Sequence, residues 1–194
     1  ALGQAKTSIT LISPYFVPGD AGTDSLANTV ASGKTVSILT NSLAANDVAA
    51  VHGGYSKYRP RLVDGGVGLW ELKPDPGHAI NRSLFGSSGA SLHTKAALID
   101  DATVFVGSFN LDPRSVSLNT EQGVLATHPV LAAELAHIFK RSTRGNRAWQ
   151  IGRDPDGKLQ WSDGKTTVQT EPDATLGRRV VAQLMRWLPF DSQL

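Results

Sequence analysis

Short apolar, β-branched runs recur along the chain with helix-forming stretches between them, and that alternation leaves few architectures open. Residues 7–12 read as a strand that stops at Ser13-Pro14. Residues 14–20 hold two prolines and a glycine around Tyr15 and Phe16, which predicts a loop. Residues 24–31 read as a helix ending at Gly33, and residues 35–40 as a second strand closed by Asn41-Ser42. A helix of Ala and Val follows up to about Tyr58, then a Gly65-Gly66 turn and a third strand over 67–72. Pro74-Asp75-Pro76-Gly77 breaks the chain again.

Residues 91–99 and Thr103–Gly107 form two β-rich runs joined by Asp100-Asp101-Ala102, a hairpin signal. Gly123–Thr127 is another strand, and Pro129 opens a helix where proline is tolerated. Further on, residues 149–153 and 158–162 flank the turn sequence Asp154-Pro155-Asp156-Gly157. They predict a peripheral hairpin with Trp149 and Trp161 as a cross-strand pair. The last helix begins after Pro172. The expected fold is α/β, or mixed α+β: a mixed sheet flanked by helices on both faces.

Composition removes several classes. At 194 residues, 40% hydrophobic and 19% charged, the chain can bury a core and is not intrinsically disordered. Without cysteine it is neither a disulfide scaffold nor a cysteine-ligated metal protein. Charges interrupt the helical stretches, which argues against a membrane-spanning helix. No signal peptide is visible at Ala1, and the single methionine is Met185, so a piece of a longer chain is expected. Net charge is only +2, which disfavours nonspecific nucleic-acid binding. Residues 138–194 carry ten basic and six acidic groups. The last helix mixes Arg178, Arg179 and Arg186 with apolar residues, as a solvated helix packed on its own domain does, and as a membrane-surface helix also does.

The chemistry concentrates in residues 92–121. On a strand, His93 and Lys95 share one face with Ala97 and Ile99, and Leu92, Thr94, Ala96 and Leu98 share the other. A lysine two residues from a histidine in a sheet suits a bound oxyanion such as phosphate. Lysine supplies fixed charge, and histidine attacks phosphorus or moves a proton near neutral pH. Gly107 permits close backbone approach, and Ser108 and Asn110 offer hydrogen bonds to phosphate oxygens. Glu121 could accept a proton from one ring nitrogen of His93 and fix its tautomer. Taken singly, His93 reads more readily as a satisfied, partly buried histidine than as a catalyst. His52 and Tyr55, at helical spacing, read as packing, and Gly86-Ser87-Ser88-Gly89 as a turn.

The longer pattern is His93-x-Lys95, four residues, Asp100, six residues, Gly107-Ser108-x-Asn110. It resembles the signature of the phospholipase D superfamily. Ser13-Pro14-Tyr15-Phe16-Val17-Pro18, the stretch from Asn41 to His52, and Glu71-Leu72-Lys73-Pro74 are similar to the second half of bacterial cardiolipin synthases, in their C-type branch. Only His93 opens a His-x-Lys, whereas two-motif relatives carry one per half.

The resemblance implies a catalytic half-domain over 1–147, with the hairpin and amphipathic helix of 148–194 packed on it. It implies two facing histidines, a phosphohistidine intermediate, no metal and no cofactor. His93 would be general acid and base. Lys95, Ser108, Asn110 and Gly107 would hold phosphate, Glu121 would orient His93, and Asp100 would be catalytic or structural. The substrate would be a phospholipid, phosphatidylglycerol first and phosphatidylethanolamine second. The partner would be the missing N-terminal half or a second chain. The place would be the bacterial cytoplasm at the inner-membrane surface, with Tyr15, Phe16 and the last helix as contact candidates. The alternatives are a phospholipase D-like phosphodiesterase, either a lipid hydrolase or a homodimeric nuclease, and a non-catalytic phospholipid-binding module.

Overall fold

The structure, a computed structural model, describes residues 2–74 and 92–187. Three strands, β1 (Ser8–Ile12), β2 (Thr35–Asn41) and β3 (Gly68–Leu72), run parallel at the centre of one sheet. Beside β1 stand β4 (Ala96–Ile99), β5 (Thr103–Gly107) and β6 (Gly123–Thr127), each antiparallel to its neighbour. Beyond β3 stand β7 (Ala148–Arg153), β8 (Leu159–Ser162) and β9 (Thr167–Val168). The order is β6-β5-β4-β1-β2-β3-β7-β8-β9.

Both faces are covered, as the alternation of elements predicts. On one face Ile9, Leu11, Ile38, Leu69, Ala97 and Ile99 pack with α1 (Gly19–Ala31), α2 (Ala49–Ser56) and α3 (Arg59–Asp64). On the other, Ile12, Leu39, Leu98 and Val104 pack on Ala132 and Leu135 of α5 (Pro129–Ser142). Burial on both sides of the central strands explains why Ile38 and Leu39, adjacent in β2 and so on opposite faces, are both apolar and fully buried. Proline at the start of α5 and Lys140 and Arg141 in its last turn suit the two ends of a helix. A third cluster joins Leu43 and Ala49 to α6 (Leu176–Trp187) through Ala182 and Val181. Gly53 of α2 permits that crossing: a Cβ there would lie 2.7 Å from the Ala182 carbonyl and 2.8 Å from the Met185 Cβ.

Several elements depart from the sequence reading. The helix after β1 starts at Gly19, not Asp24, because Pro18 closes the loop from the helix's own N-cap position. Residues 43–48 are irregular, and the helix expected after Ser42, up to about Tyr58, is the shorter α2. Pro60 opens α3, and Pro113 opens α4 (Pro113–Ser117), two short helices that periodicity does not reveal. Residues 92–95 precede β4 rather than belonging to it. The 149–162 hairpin stands at one end of the sheet. Its first strand pairs with β3, Leu69 opposite Ile151, and both indoles are buried; they are not a cross-strand pair, since Trp161 stands opposite Ile151 and Trp149 opposite Glu71. The Gly86–Gly89 stretch lies outside the described residues.

Candidate active site

The site gathers where the parallel strands end and the antiparallel ones begin, a place where α/β sheets leave a crevice. At the exit of β1, the Ser13 hydroxyl donates to the Tyr15 carbonyl at 2.5 Å and accepts from the Leu111 amide at 3.2 Å. At the exit of β2, the wholly buried Asn41 amide donates to the Leu92 carbonyl at 3.3 Å. That bond fixes the residue before His93. Leu92 packs in the same layer as Ala96 and Leu98, so the alternation expected through this stretch holds at its apolar positions. His93 is exposed and Lys95 half-buried.

The Lys95 ammonium donates to the main-chain carbonyl of His93 at 3.0 Å, which folds the lysine back along its own segment. Burial lowers the Lys95 pKa, while the carboxylates of Glu121, Asp112 and Asp47 oppose that shift. Asp112 also caps α4 through the Ser115 amide at 2.7 Å. Asp47 takes the Tyr15 hydroxyl at 2.6 Å, and burial followed by that contact pushes the phenol far up. The sequence reading does not single out Asn41, Asp47 or Asp112 as site residues, and it takes Tyr15 only as a surface contact. Their signal is long-range pairing, which no local pattern carries.

The other expected members divide. Ser108 and Glu121 are joined by a short hydrogen bond from the serine hydroxyl, whose oxygen also accepts from the Gln122 amide at 3.0 Å. Asn119 donates to the second Glu121 oxygen at 3.2 Å. The Ser108 contact, then Asn119, hold the Glu121 carboxyl below its ordinary pKa. Both described partners of Glu121 are therefore polar side chains of its own loop, and His93 is not one of them. Asn110 is buried, and its side-chain carbonyl has no partner among the described residues.

Gly107 serves the sheet: a Cβ there would meet the Gln122 carbonyl, the Gly123 Cα and the Phe105 ring. Asp100 sits at the far end of β4, in the left-handed region at φ 54°, with Asp101 at 52°. Its carboxylate accepts from the amides of Thr7 at 2.7 Å, Lys6 at 2.9 Å and Ser8 at 3.1 Å, which depress its pKa strongly. The structure brings Asp100 to β1's first residues and not to His93. Phe16 is a core residue against Tyr55, with ring centroids 5.8 Å apart, and offers no surface contact; Tyr15 is half-buried with its hydroxyl on Asp47.

His52 lies in a buried ionic cluster. Its Nε2 is 2.8 Å from Arg59 Nη2 and 3.3 Å from Glu171. Arg59 also meets Glu171 at 2.7 Å and Glu71 at 3.1 Å, and Trp161 donates to Glu71 at 2.9 Å. Burial pushes both carboxyls up. At Glu71 it prevails, while at Glu171 Arg59 and His52 outweigh it. His52, Glu71 and Glu171 offer atoms within 4.8 Å of one another, but the Arg59 guanidinium already supplies the cation among them.

Comparison with known proteins gives the chain a family. The family described as cardiolipin synthase, phospholipase D-like domain, matches residues 1–143. The chain belongs to that family. It is 42% identical to cardiolipin synthase C of Escherichia coli, over 98% of this chain and 41% of that protein. The chain thus spans under half the length of that relative. Its fold is similar to Nuc, a phospholipase D family member of Salmonella typhimurium, with TM-score 0.58 and 19% identity over 78% of this chain and 86% of that one. It is also similar to phosphatidylserine synthase of Haemophilus influenzae, with TM-score 0.55 and 19% identity over 72% and 33%. Among the described residues no helix is long and apolar enough to cross a membrane.

Proposed function

We propose that this chain carries one half of a two-histidine phosphodiester site in a phosphatidyltransferase of cardiolipin synthase type. The carrying observation is an exposed His93 beside a partly desolvated Lys95 at the carboxyl end of the parallel strands. The 42% identity to cardiolipin synthase C supports a lipid substrate.

A histidine on the other half attacks phosphorus, forming an N–P bond as the P–O bond to the headgroup breaks. His93 gives its proton to the leaving alcohol. It then takes a proton from the acceptor alcohol, whose oxygen attacks phosphorus and releases the first histidine. Lys95 holds a nonbridging oxygen. Asn110 completes the phosphate seat, and Glu121 keeps the Ser108 hydroxyl in place. Donor and acceptor are phosphatidylglycerol, with phosphatidylethanolamine as a second phosphatidyl source, at the inner-membrane surface. An apolar cavity of about 600 Å3 reaches Glu121 between Phe105, Phe109, Leu111 and Leu125. It lies beside the half-site, where the other motif-bearing half would close over the phosphate.

The test uses the intact protein that contains this chain, given phosphatidylglycerol vesicles with and without phosphatidylethanolamine, with lipid products read by mass spectrometry. Cardiolipin is the expected product, and H93N lowers its rate about a thousandfold. Phosphatidic acid alone points to a hydrolase, and DNA cleavage that falls steeply with salt points to a nuclease. Lipid binding without turnover points to a non-catalytic module, and full activity in H93N removes the assigned role.

A further inference from the structure

The last described helix turns an apolar ridge outward. Leu176, Val180 and Leu184 recur every four residues of α6, so they share one face. They are 77%, 49% and 61% exposed. The opposite face does the packing: Arg178 and Ala182 are buried, and Val181 packs against the cluster of Leu43 and Ala49. A helix whose only duty is to cover its own domain presents polar residues to water, not a row of branched aliphatic ones.

Positive charge flanks the ridge on one side. A cleft of about 440 Å3 lies between α6 and the β8–β9 hairpin, lined by Lys158, Gln169, Arg179, Gln183 and Arg186. Glu171 also lines it; Arg59 takes one of its oxygens at 2.7 Å, and the other lies 3.3 Å from His52 Nε2. Arg179 gives Nη2 to the Glu171 carbonyl at 2.7 Å and buries its Nε, which leaves Nη1 to face the cleft.

We propose that this face of α6 docks on an anionic phospholipid bilayer, with Leu176, Val180 and Leu184 in the interface and Arg179 and Arg186 on headgroup phosphates. Nucleic acid would answer the arginines and leave the ridge in water. Apolar insertion beside cationic groups is the pattern of a helix lying in the membrane plane. The inner face of the same helix reaches the candidate active site. Arg178 donates to the Leu43 carbonyl at 3.2 Å and to that of Asn46, the residue before Asp47, whose carboxylate acts on Lys95. Only this last link rests on the proposed lipid chemistry.

The chain has no cysteine of its own, so once any cysteine elsewhere in the intact protein is replaced by serine, a single V180C can carry an environment-sensitive fluorophore, with S32C at the end of α1 as control. On adding phosphatidylcholine vesicles that contain phosphatidylglycerol, the V180C label should shift to the blue and be quenched by brominated acyl chains, and the S32C label should do neither. Pure phosphatidylcholine should give little response. R179Q and R186Q should each weaken the response about fivefold, and salt should weaken it further. A V180C label that stays in water with phosphatidylglycerol vesicles overturns the proposal. So does one that responds only to DNA or to a partner protein. Catalysis is not read in this assay: an inactive protein that docks leaves the inference standing, and an active one whose label stays wet removes it.

Discussion

Asp100 follows His93 by seven residues, roughly 20 Å along an extended chain at about 3.3 Å per residue. Its carboxylate caps the amides that open β1, so its contribution belongs to stability. Those amides hold its folded-state pKa below the ordinary value of about 3.9. A depressed carboxylate stabilises fully above its unfolded pKa, and the contribution drains away as pH falls toward the folded one. D100N should therefore lower Tm at neutral pH, and the gap to wild type should close progressively from about pH 5 downward. A gap that stays constant through that range refutes the assignment. The same residue shows what sequence conveys and what it conceals. Its place after His93-x-Lys95 was legible as a pattern. Its partners, Lys6 to Ser8, lie more than ninety residues away and are set by β1 pairing with β4. Gly107 is similar: the residue was legible, but its reason is the approach of β6.

Between elements, the crossing of α2 and α6 decides how the carboxyl-terminal region meets the candidate site. Gly53 gives the Ala182 backbone room, and Arg178 reaches the 43–46 carbonyls from the same helix. G53V overfills that contact and should cost about 1–3 kcal/mol, read by urea unfolding. If it also releases the 43–48 loop, turnover should fall beyond what stability explains. An unchanged midpoint would mean that the helices do not cross so closely. Strands at this scale were readable because their apolar runs are short and bounded by turn formers. The short helices α3 and α4 were not, since one or two turns leave too few residues for a period to show. The hairpin of β7 and β8 was readable from its turn. Its docking on β3 was not, because edge pairing depends on which strand is left open.

For the molecule as a whole, the chain builds a sheet covered on both faces by its own helices, yet it contains one His-x-Lys. A fold that buries its own core needs no second chain to form, whereas phosphoryl transfer through two histidines needs a second imidazole opposite the first. Folding and catalysis should therefore separate. Made alone, the 194-residue chain should unfold in one cooperative transition and turn over no phospholipid. Adding the remaining portion of the same protein, made separately, should restore cardiolipin formation. The restored rate should rise with concentration as a bimolecular assembly does and vanish with H93N in this chain. Activity from the chain alone that grows with the square of its concentration would instead identify a homodimer pairing His93 with its own copy. First-order activity from a monomer would show that a single histidine suffices and would dismantle the two-half reading.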